Sequence, residues 1–465
     1  METKQAVFNV GAAQVDITPE MGIQIAGSIG IKRPAEFVVD PIFAKALVVE
    51  SGGRKVCVLS LDLLSITNDY ADRIRDEAAR LIGTSREAVM VHIVQNHAAP
   101  SLGHLMCDKE NPYYVGEWTW MRGGDERYNE PAVAGILRAV KEADAARAPA
   151  VLGVDRGMDS RVAFNRRYIL RDGRAEMGSG GDLRNVLQRE GAMDPEVGVA
   201  CFQTQALKPV ALLLHHTCHP VHAYPLRYIT AGWPGAWSTE MRRMAGGECV
   251  PLVVNGCCGN VIHRDILNPT QVDTAENMGR LLSETAGKVL RELRYENTDG
   301  RVEWRCRKLP IPFRETSAER LAAARKRIAE TPPFPTSPTR PGFVDWDWIY
   351  DVAILDVERF RNRCGHYEYE IQAFRIGPLA IVALIGEPFV EGQLQIKLES
   401  PFNHTFIAHM SNGYVGYIPT PEAIRRGGYE TRLGWGSKLA PEALEMIVKA
   451  TGEVLGELRE QRTEN

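Results

Sequence analysis

The sequence predicts a mixed α/β protein in which helices flank either one mixed β-sheet or two packed sheets. Three observations carry that expectation. Short apolar runs rich in Val and Ile recur along the chain, helical periodicity fills the intervals between them, and some neighbouring runs are joined by turns too short for a parallel crossover. The strand-like runs are Ala46–Val49, Val56–Leu61, Val89–Val94, Val210–Leu214, Val250–Val254, Leu379–Leu384 and Thr405–Ala408. The clearest amphipathic helices are expected over Tyr70–Leu81, Pro131–Ala145, Ala275–Leu293, Ala318–Ile328 and Glu442–Leu458. Thr316 followed three positions later by Glu319 has the spacing of a capping box for the fourth helix. The strands Tyr369–Arg375 and Leu379–Leu384 are separated only by Ile376-Gly377-Pro378, which makes that pair a hairpin and rules out a purely parallel sheet.

The 465 residues allow two average domains or one large layered body, and the expectation is a single catalytic domain over residues 1–465. Within it, five prolines between Thr331 and Pro341 and the aromatic residues Phe343, Trp346, Trp348 and Tyr350 are expected to form a flap or loop insertion over residues 331–350. Met177 to Gly181 reads as a flexible glycine loop, without the ending of a phosphate-binding loop. With 44% hydrophobic and 25% charged residues, the composition leaves no region poor enough in apolar residues for wholesale disorder. A formal charge of −4 and a pI near 6.3 argue against a nucleic-acid partner. No run approaches the roughly 18 apolar residues that span a bilayer. The start of the chain lacks a signal-peptide pattern, and nine scattered cysteines, including Cys257-Cys258, suit a reducing compartment, so a cytoplasmic location is expected. The expected partner is a small-molecule substrate, with a homo-oligomer left open.

Histidine is the residue that points to chemistry. Eight of the eleven fall in three stretches: His92, His97 and His104; His215, His216, His219 and His222; and His263. The second stretch runs from a strand into a Pro turn, which brings imidazoles to a sheet edge. In the first, a strand period of two puts Gln95 and His97 on one face and leaves His92 and Asn96 as structural residues.

An ordered set of motifs now resembles the catalytic domain of the neutral, non-lysosomal ceramidases. The pieces are Gly11–Pro19 (Gly-Ala-Ala-x-Val-Asp-Ile-Thr-Pro), His97–Pro100 (His-x-x-Pro), Asn165-Arg166, Cys218–Pro220 (x-His-Pro), Gly256–Asn260 (Gly-x-x-Gly-Asn), Gly386–Glu391 (Gly-Glu-Pro-Phe-Val-Glu), and Ser411–Tyr417 with Tyr429-Glu430. The resemblance implies one zinc ion held by two His, one Glu and one Tyr, with an Arg and a second Tyr on the substrate amide. Carried over motif by motif, it implies His219, Glu387 and Tyr417 as ligands, and Arg166 and Tyr429 as substrate contacts. Asn260 is a further substrate contact on this reading. Two His with carboxylate and phenolate suit zinc or another divalent ion.

Two positions depart from the family pattern. The family's first ligand histidine falls on Gln95, leaving His97 at its non-ligand histidine, so either His97 swings in as a ligand, or Gln95 offers an oxygen to a metal other than zinc, or the site has lost its metal. The family's serine nucleophile falls on Ile262, which cannot attack a carbonyl, and His263 beside it becomes a candidate general base alongside His97. The expectation is a metal-dependent hydrolase of a small polar metabolite, at an amide, ester or glycoside-like bond, using water activated by the metal or by a histidine rather than ceramide chemistry through serine. The alternatives are a metal-dependent lyase or isomerase of carbohydrate or amino-acid catabolism, and a non-catalytic small-molecule binder. Other residues carry two readings each. Asp62 orients an imidazole or caps a turn; Cys257 and Cys258 pack, or offer a thiolate; Arg166 and Arg167 hold an anion, or form an exposed hairpin pair. Trp118, Trp120, Arg122 and Asp125 stack on a flat ligand or meet another subunit.

Overall fold

Two mixed sheets form the interior of the computed structural model, which describes residues 7–28, 30–105, 111, 116–178, 182–295 and 299–460, with backbone alone at 116–118. The larger contains β1 (Phe8–Asp16), β2 (Phe43–Ser51), β3 (Arg54–Leu61), β4 (Val89–Ile93), β5 (Ala148–Met158), β6 (Glu196–Thr204), β7 (Pro209–His216) and β8 (Val250–Asn255). Its strand order is β8-β7-β6-β5-β1-β2-β3-β4. The smaller holds β9 (Val302–Pro312), β10 (His366–Ile376), β11 (Leu379–Leu384) and β12 (His404–Ala408) side by side in that order. Three pairs are parallel, β3 with β4, β7 with β8 and β11 with β12; the other neighbours run antiparallel. The helices that cover them are α1 (Asn68–Ile82), α2 (Glu126–Ala145), α3 (Gly232–Met244), α4 (Ala275–Glu292), α5 (Ala318–Glu330), α6 (Trp346–Cys364), α7 (Val390–Glu399) and α8 (Ala443–Glu460).

Side-chain alternation shows how the layers stack. Leu47, Val49, Val56, Val58, Met90 and Phe202 of the larger sheet pack against Phe374, Ile376, Ile381 and Phe406 of the smaller one. The alternate residues Ala46, Val48, Leu59 and Leu61 face the other way, into a cluster with Ile74 of α1 and Ile136 of α2. Trp237 of α3 and Leu282 of α4 close the other half of that outer face. Ile396 of α7 and Ile447 and Leu455 of α8 cover the outer face of the smaller sheet. The result is a helix–sheet–sheet–helix sandwich, which settles the choice between one sheet and two in favour of two. Because both faces of each central strand are buried, those strands read as continuous apolar runs rather than alternating ones.

Several elements differ from expectation for local reasons. The cap of α5 is Ser317, whose hydroxyl accepts from the Arg320 amide, and not Thr316, whose hydroxyl has no hydrogen-bond partner. The helix expected from Pro131 already begins at Glu126, where Asp125 caps it. The aromatic half of the expected flap divides: Asp345 caps α6 at Trp346, so only residues 331–345 lie outside a helix. Phe334 packs on Trp348 at 5.0 Å between ring centres, in a satellite cluster with Met121, Val352 and Trp435. Every described cysteine is a free thiol. Among the described residues no helix is long and apolar enough to cross a membrane.

Phe374 lies fully buried between the two sheets. Phe374→Ala should therefore lower the unfolding free energy by about 3–5 kcal/mol, read from urea denaturation; a loss below about 1 kcal/mol would mean that the sheets do not depend on that interface.

Candidate functional site

The three parallel pairs end on one edge of the sandwich, the usual place for ligands in open α/β sheets. Gln95 and His97 follow β4, His219 follows β7, Cys257 to Asn260 follow β8, Glu387 follows β11, and Ser411 to Tyr417 follow β12. The strand ends are tied together by the buried side chain of Asn255. Its Oδ1 accepts from the Cys218 amide at 3.1 Å, and its Nδ2 donates to the carbonyls of Val94 and Cys218, each at 3.0 Å. Its own amide donates to His92 Nε2 at 2.9 Å, and its carbonyl accepts from the His409 amide. His92 is thereby the structural residue the sequence indicated, as is Asn96, which donates to the Thr230 carbonyl at 2.6 Å.

Four side chains from these ends meet. His219 Nδ1 sits 3.1 Å from the Cys258 carbonyl, to which it donates; this leaves Nε2 as the lone-pair nitrogen, 3.8 Å from Glu387 Oε2. The His97 and His219 rings lie 5.1 Å apart, and both ring nitrogens of His97 are buried without a hydrogen-bond partner. A Cβ at position 27 would come within 2.6 Å of His97 Nδ1, so the glycine there, with φ +87°, makes room for the imidazole. Glu387 and Tyr417 face each other in a two-residue parallel ladder of Glu387–Pro388 with Tyr417–Ile418. Gly386 (φ +75°) allows that approach, because a Cβ would meet the Gly416 carbonyl at 2.5 Å. Glu387 Oε1 accepts a hydrogen bond from Tyr414 at 3.1 Å, Gln95 and Tyr417 stand beside the carboxylate, and Oε2 has no partner.

Electrostatics in this buried corner match a cation. Burial, then Arg33 and Arg166, push the His97 imidazole down to about 3, and burial drives His219 well below its usual range, so both are neutral bases. Burial raises the Glu387 carboxyl despite its hydrogen bonds. Burial, then the neighbouring Glu387, lifts the Tyr417 phenol well above its usual value. Unpartnered nitrogens, an orphaned carboxylate oxygen and a phenol beside them form a donor set that a divalent ion would satisfy at once. His219 Nε2 and Glu387 Oε2 lie 3.8 Å apart, but among the described residues the ligand atoms of His97, His219 and Glu387 do not all lie within 4.8 Å of one another, so these donors match the metal implied by the resemblance in chemical type and would have to draw together to hold it.

Arg166 and Tyr429 complete the wall. Burial alone would lower Arg166, but Tyr417, Glu430 and Glu387 outweigh it and hold the guanidinium above its ordinary value. Its Nε donates to Glu430 at 2.9 Å, and it lies over the Tyr417 ring at 5.5 Å. Arg167 meets the same carboxylate at 2.8 Å and also pairs with Glu190, so the anion these two arginines hold is internal. Tyr429 is 45% exposed and packs edge-on against Tyr417 at 5.7 Å. A cleft of about 970 Å³ opens over His97, Arg166, His219, Ile262, Tyr417 and Tyr429, and Trp346 and Tyr350 of α6 form part of its rim.

Other expected residues land differently. Gln95 and His97 do share one cavity, but not through strand alternation: β4 stops at Ile93, and Gln95 turns the chain with φ +67°. Gln95 Oε1 accepts from the Cys258 thiol at 3.5 Å and its side chain stands beside Glu387, whereas both nitrogens of His97 lack a hydrogen-bond partner. Asn260 is turned away from the cleft: its Nδ2 donates to Glu391 and its Oδ1 accepts from the Val390 amide, each at 2.9 Å. Asp62 reaches no imidazole and pairs with Lys45 at 3.0 Å. Cys257 and Cys258 are fully buried, and burial pushes both thiols up, which is the packing reading. Trp120 lies in a separate recess with Phe334 and Phe343, while the Trp118 side chain and residues 179–181 lie outside the described set. His263 does reach the cleft, but in company with His222 and Asp273. Asp273 had no sequence signal, being a lone acid in a loop.

No family model and no curated protein matches the chain. Among solved structures, the chain is similar to the neutral ceramidase of Pseudomonas aeruginosa, with a TM-score of 0.72 at 17% identity over 98% of this chain and 75% of that one. It is equally similar to a ceramidase complexed with C2, with a TM-score of 0.72 at 16% identity over 98% and 76%. The sandwich described above is thus a ceramidase-like fold.

Proposed function

We propose that the chain is a metal-dependent hydrolase acting on an amide, ester or glycoside-like bond of a small polar molecule other than ceramide, with Zn²⁺ or another divalent ion held by His97, His219, Glu387 and Tyr417. The observation that carries the reading is that His97, with both ring nitrogens unpartnered, lies beside His219, whose Nε2 stands 3.8 Å from the orphaned Glu387 Oε2, the three coming from separate strand ends into one buried corner. The ceramidase-like fold supports a hydrolase. A polar substrate is supported by the cleft wall, which carries Arg166, Arg174, Arg264, Arg340, Arg426 and Arg432, although Arg166, Arg174, Arg426 and Arg432 already pair with Glu430, Asp172, Glu422 and Asp347.

When bound, a divalent ion there polarises a carbonyl and makes water acidic enough to react at neutral pH. The protein's own groups do the rest. Arg166, fixed by Glu430 and the Gly259 carbonyl, and Tyr429, on the open side, are placed to donate to an oxygen that gains negative charge. Gln95 stands beside Glu387 in the same cavity and is placed to hold the carboxylate in position. Ile262 lines the cleft as a saturated wall, so the nucleophile comes from solvent.

Elemental analysis tests the ligand set: His219→Ala and Glu387→Ala should each lose one equivalent of divalent metal relative to the parent and, with it, turnover. Unchanged metal content in both variants would overturn the reading. On any amide or ester found to react, heavy-oxygen water should label the product, whereas an unlabelled product would point to a lyase or isomerase. Gln95→Asn, which keeps a side chain tolerant of positive φ but shortens its reach, should weaken metal affinity roughly 10–100-fold by competition with a chelator; full retention would remove Gln95 as a positioning residue.

A further inference from the structure

Asp273, His222 and His263 form a second group of potential ligands on the wall of the same cleft. One ligand atom from each lies within 4.8 Å of the others. The two imidazoles stack face to face, with ring centres 3.5 Å apart and planes inclined by 17°. Both turn toward a single oxygen, Asp273 Oδ1, which is 2.5 Å from His263 Nδ1 and 3.4 Å from His222 Nε2. One short hydrogen bond, from His263, accounts for the nearer contact; the longer one exceeds a normal N–H···O length. Both nitrogens of His222 and Nε2 of His263 are consequently buried without a hydrogen-bond partner. A pair of stacked rings held against one carboxylate with three idle nitrogens is poorly explained as packing, because buried polar groups are normally paired.

The surroundings hold the group in place. The Gln271 side chain donates to the His263 carbonyl at 2.7 Å and accepts from the Asp265 amide at 2.7 Å, bracing the loop that ends at Asp273. The Asn277 amide anchors the next turn by donating to the Val272 carbonyl at 2.9 Å. His222 stands three residues after His219 on the loop leaving β7, and His263 follows the turn that carries Cys258, whose carbonyl fixes His219. The two segments that build the first centre therefore continue directly into this one.

We infer that His222, His263 and Asp273 bind a second divalent first-row transition ion such as Zn²⁺, at a site distinct from the His97, His219, Glu387 and Tyr417 centre but open to the same cleft. Two imidazoles and a carboxylate are a donor set such ions accept, with further positions left for water or substrate. His263 then acts as a ligand in place of the general base expected from sequence. The inference stands on its own geometry and does not require the first centre to be filled.

The test is a count of ions. Full-length protein, stripped with chelator and dialysed against Co²⁺, should carry two ions per chain by elemental analysis. Asp273→Asn, which preserves shape, and His222→Phe, which preserves the ring stack, should each carry one fewer and lose part of the visible Co²⁺ absorption. His219→Ala should also carry one, retained at the second site. A parent with one ion, lost in Asp273→Asn and kept in His219→Ala, would support this site while removing the reading of the first. Asp273→Asn and His222→Phe proteins that match the parent in circular dichroism and still bind as many ions as the parent would overturn the inference.

Discussion

The buried amide of Asn255 is the constraint on which the site's geometry depends. Four chain segments leave two different sheets at one edge, and on leaving their ladders they expose backbone groups that water cannot reach. Asn255 satisfies those of Val94, Cys218 and His409 together, while its own amide is taken by His92. Leaving even one such buried group unpaired costs about 1–3 kcal/mol, so the strand ends are held in one arrangement rather than several. Asn412, with φ +59°, adds a second stitch, accepting from the Val91 amide at 2.9 Å and donating to Gln372 at 2.8 Å. These ties set where the next residues go, and those residues are Gln95, His97, His219 and Tyr417.

Charge is arranged with the same economy. Arg166 and Arg167 are buried, yet each is matched by Glu430, and Arg167 also by Glu190. The anionic demand of the two guanidiniums is met inside the wall, which leaves Glu387 as the acid without a formal counter-charge at hydrogen-bond distance. Its neighbours are neutral donors, and its Oε2 accepts from none of them. Burial disfavours both a Glu387 carboxylate and a Tyr417 phenolate, penalties that the divalent cation proposed above would reverse together. The corner thus stores polar cost that protein contacts alone do not relieve.

How much of this was legible in the sequence depended on whether a residue's role was local. Strands buried on both faces announced themselves as Val and Ile runs: six of the seven lie wholly within observed strands, and the seventh, Val89–Val94, overruns its strand by one residue. The strand β9 did not, because its charged, half-exposed pattern (Arg305, Arg307 and Lys308 among apolar residues) breaks the run. Nor did β1, where Gly11 is glycine because a Cβ there would meet the Ala143 carbonyl of α2 at 2.0 Å. His219, Glu387 and Tyr417 were legible only as pieces of a family pattern, since their meeting depends on a parallel ladder between segments 30 residues apart. The positive φ of Gln95 could not be read, and so the right neighbours were inferred from a strand period that the chain does not follow there. Asp62 misled for the opposite reason: its partner Lys45 sits across a strand pair, where pattern alone shows an ordinary polar residue.

Position 262 draws the two parts of the cleft together. The short ladder Val261–Ile262 with Phe164–Asn165 pins this segment, and the bridge between His219 and Ile262 ties it to the loop that carries both histidine sets. Along that segment Val261 is buried in the core, Ile262 lines the cleft, and His263 turns to Asp273. An aliphatic group at the middle position removes any side-chain nucleophile from the stretch between the two candidate centres, while keeping the backbone that orients His219. On the hydrolase reading proposed above, such a site would draw its nucleophile from water, and around it stand the His97 and His219 imidazoles, the Arg166 guanidinium held by the Gly259 carbonyl and the exposed Tyr429 phenol.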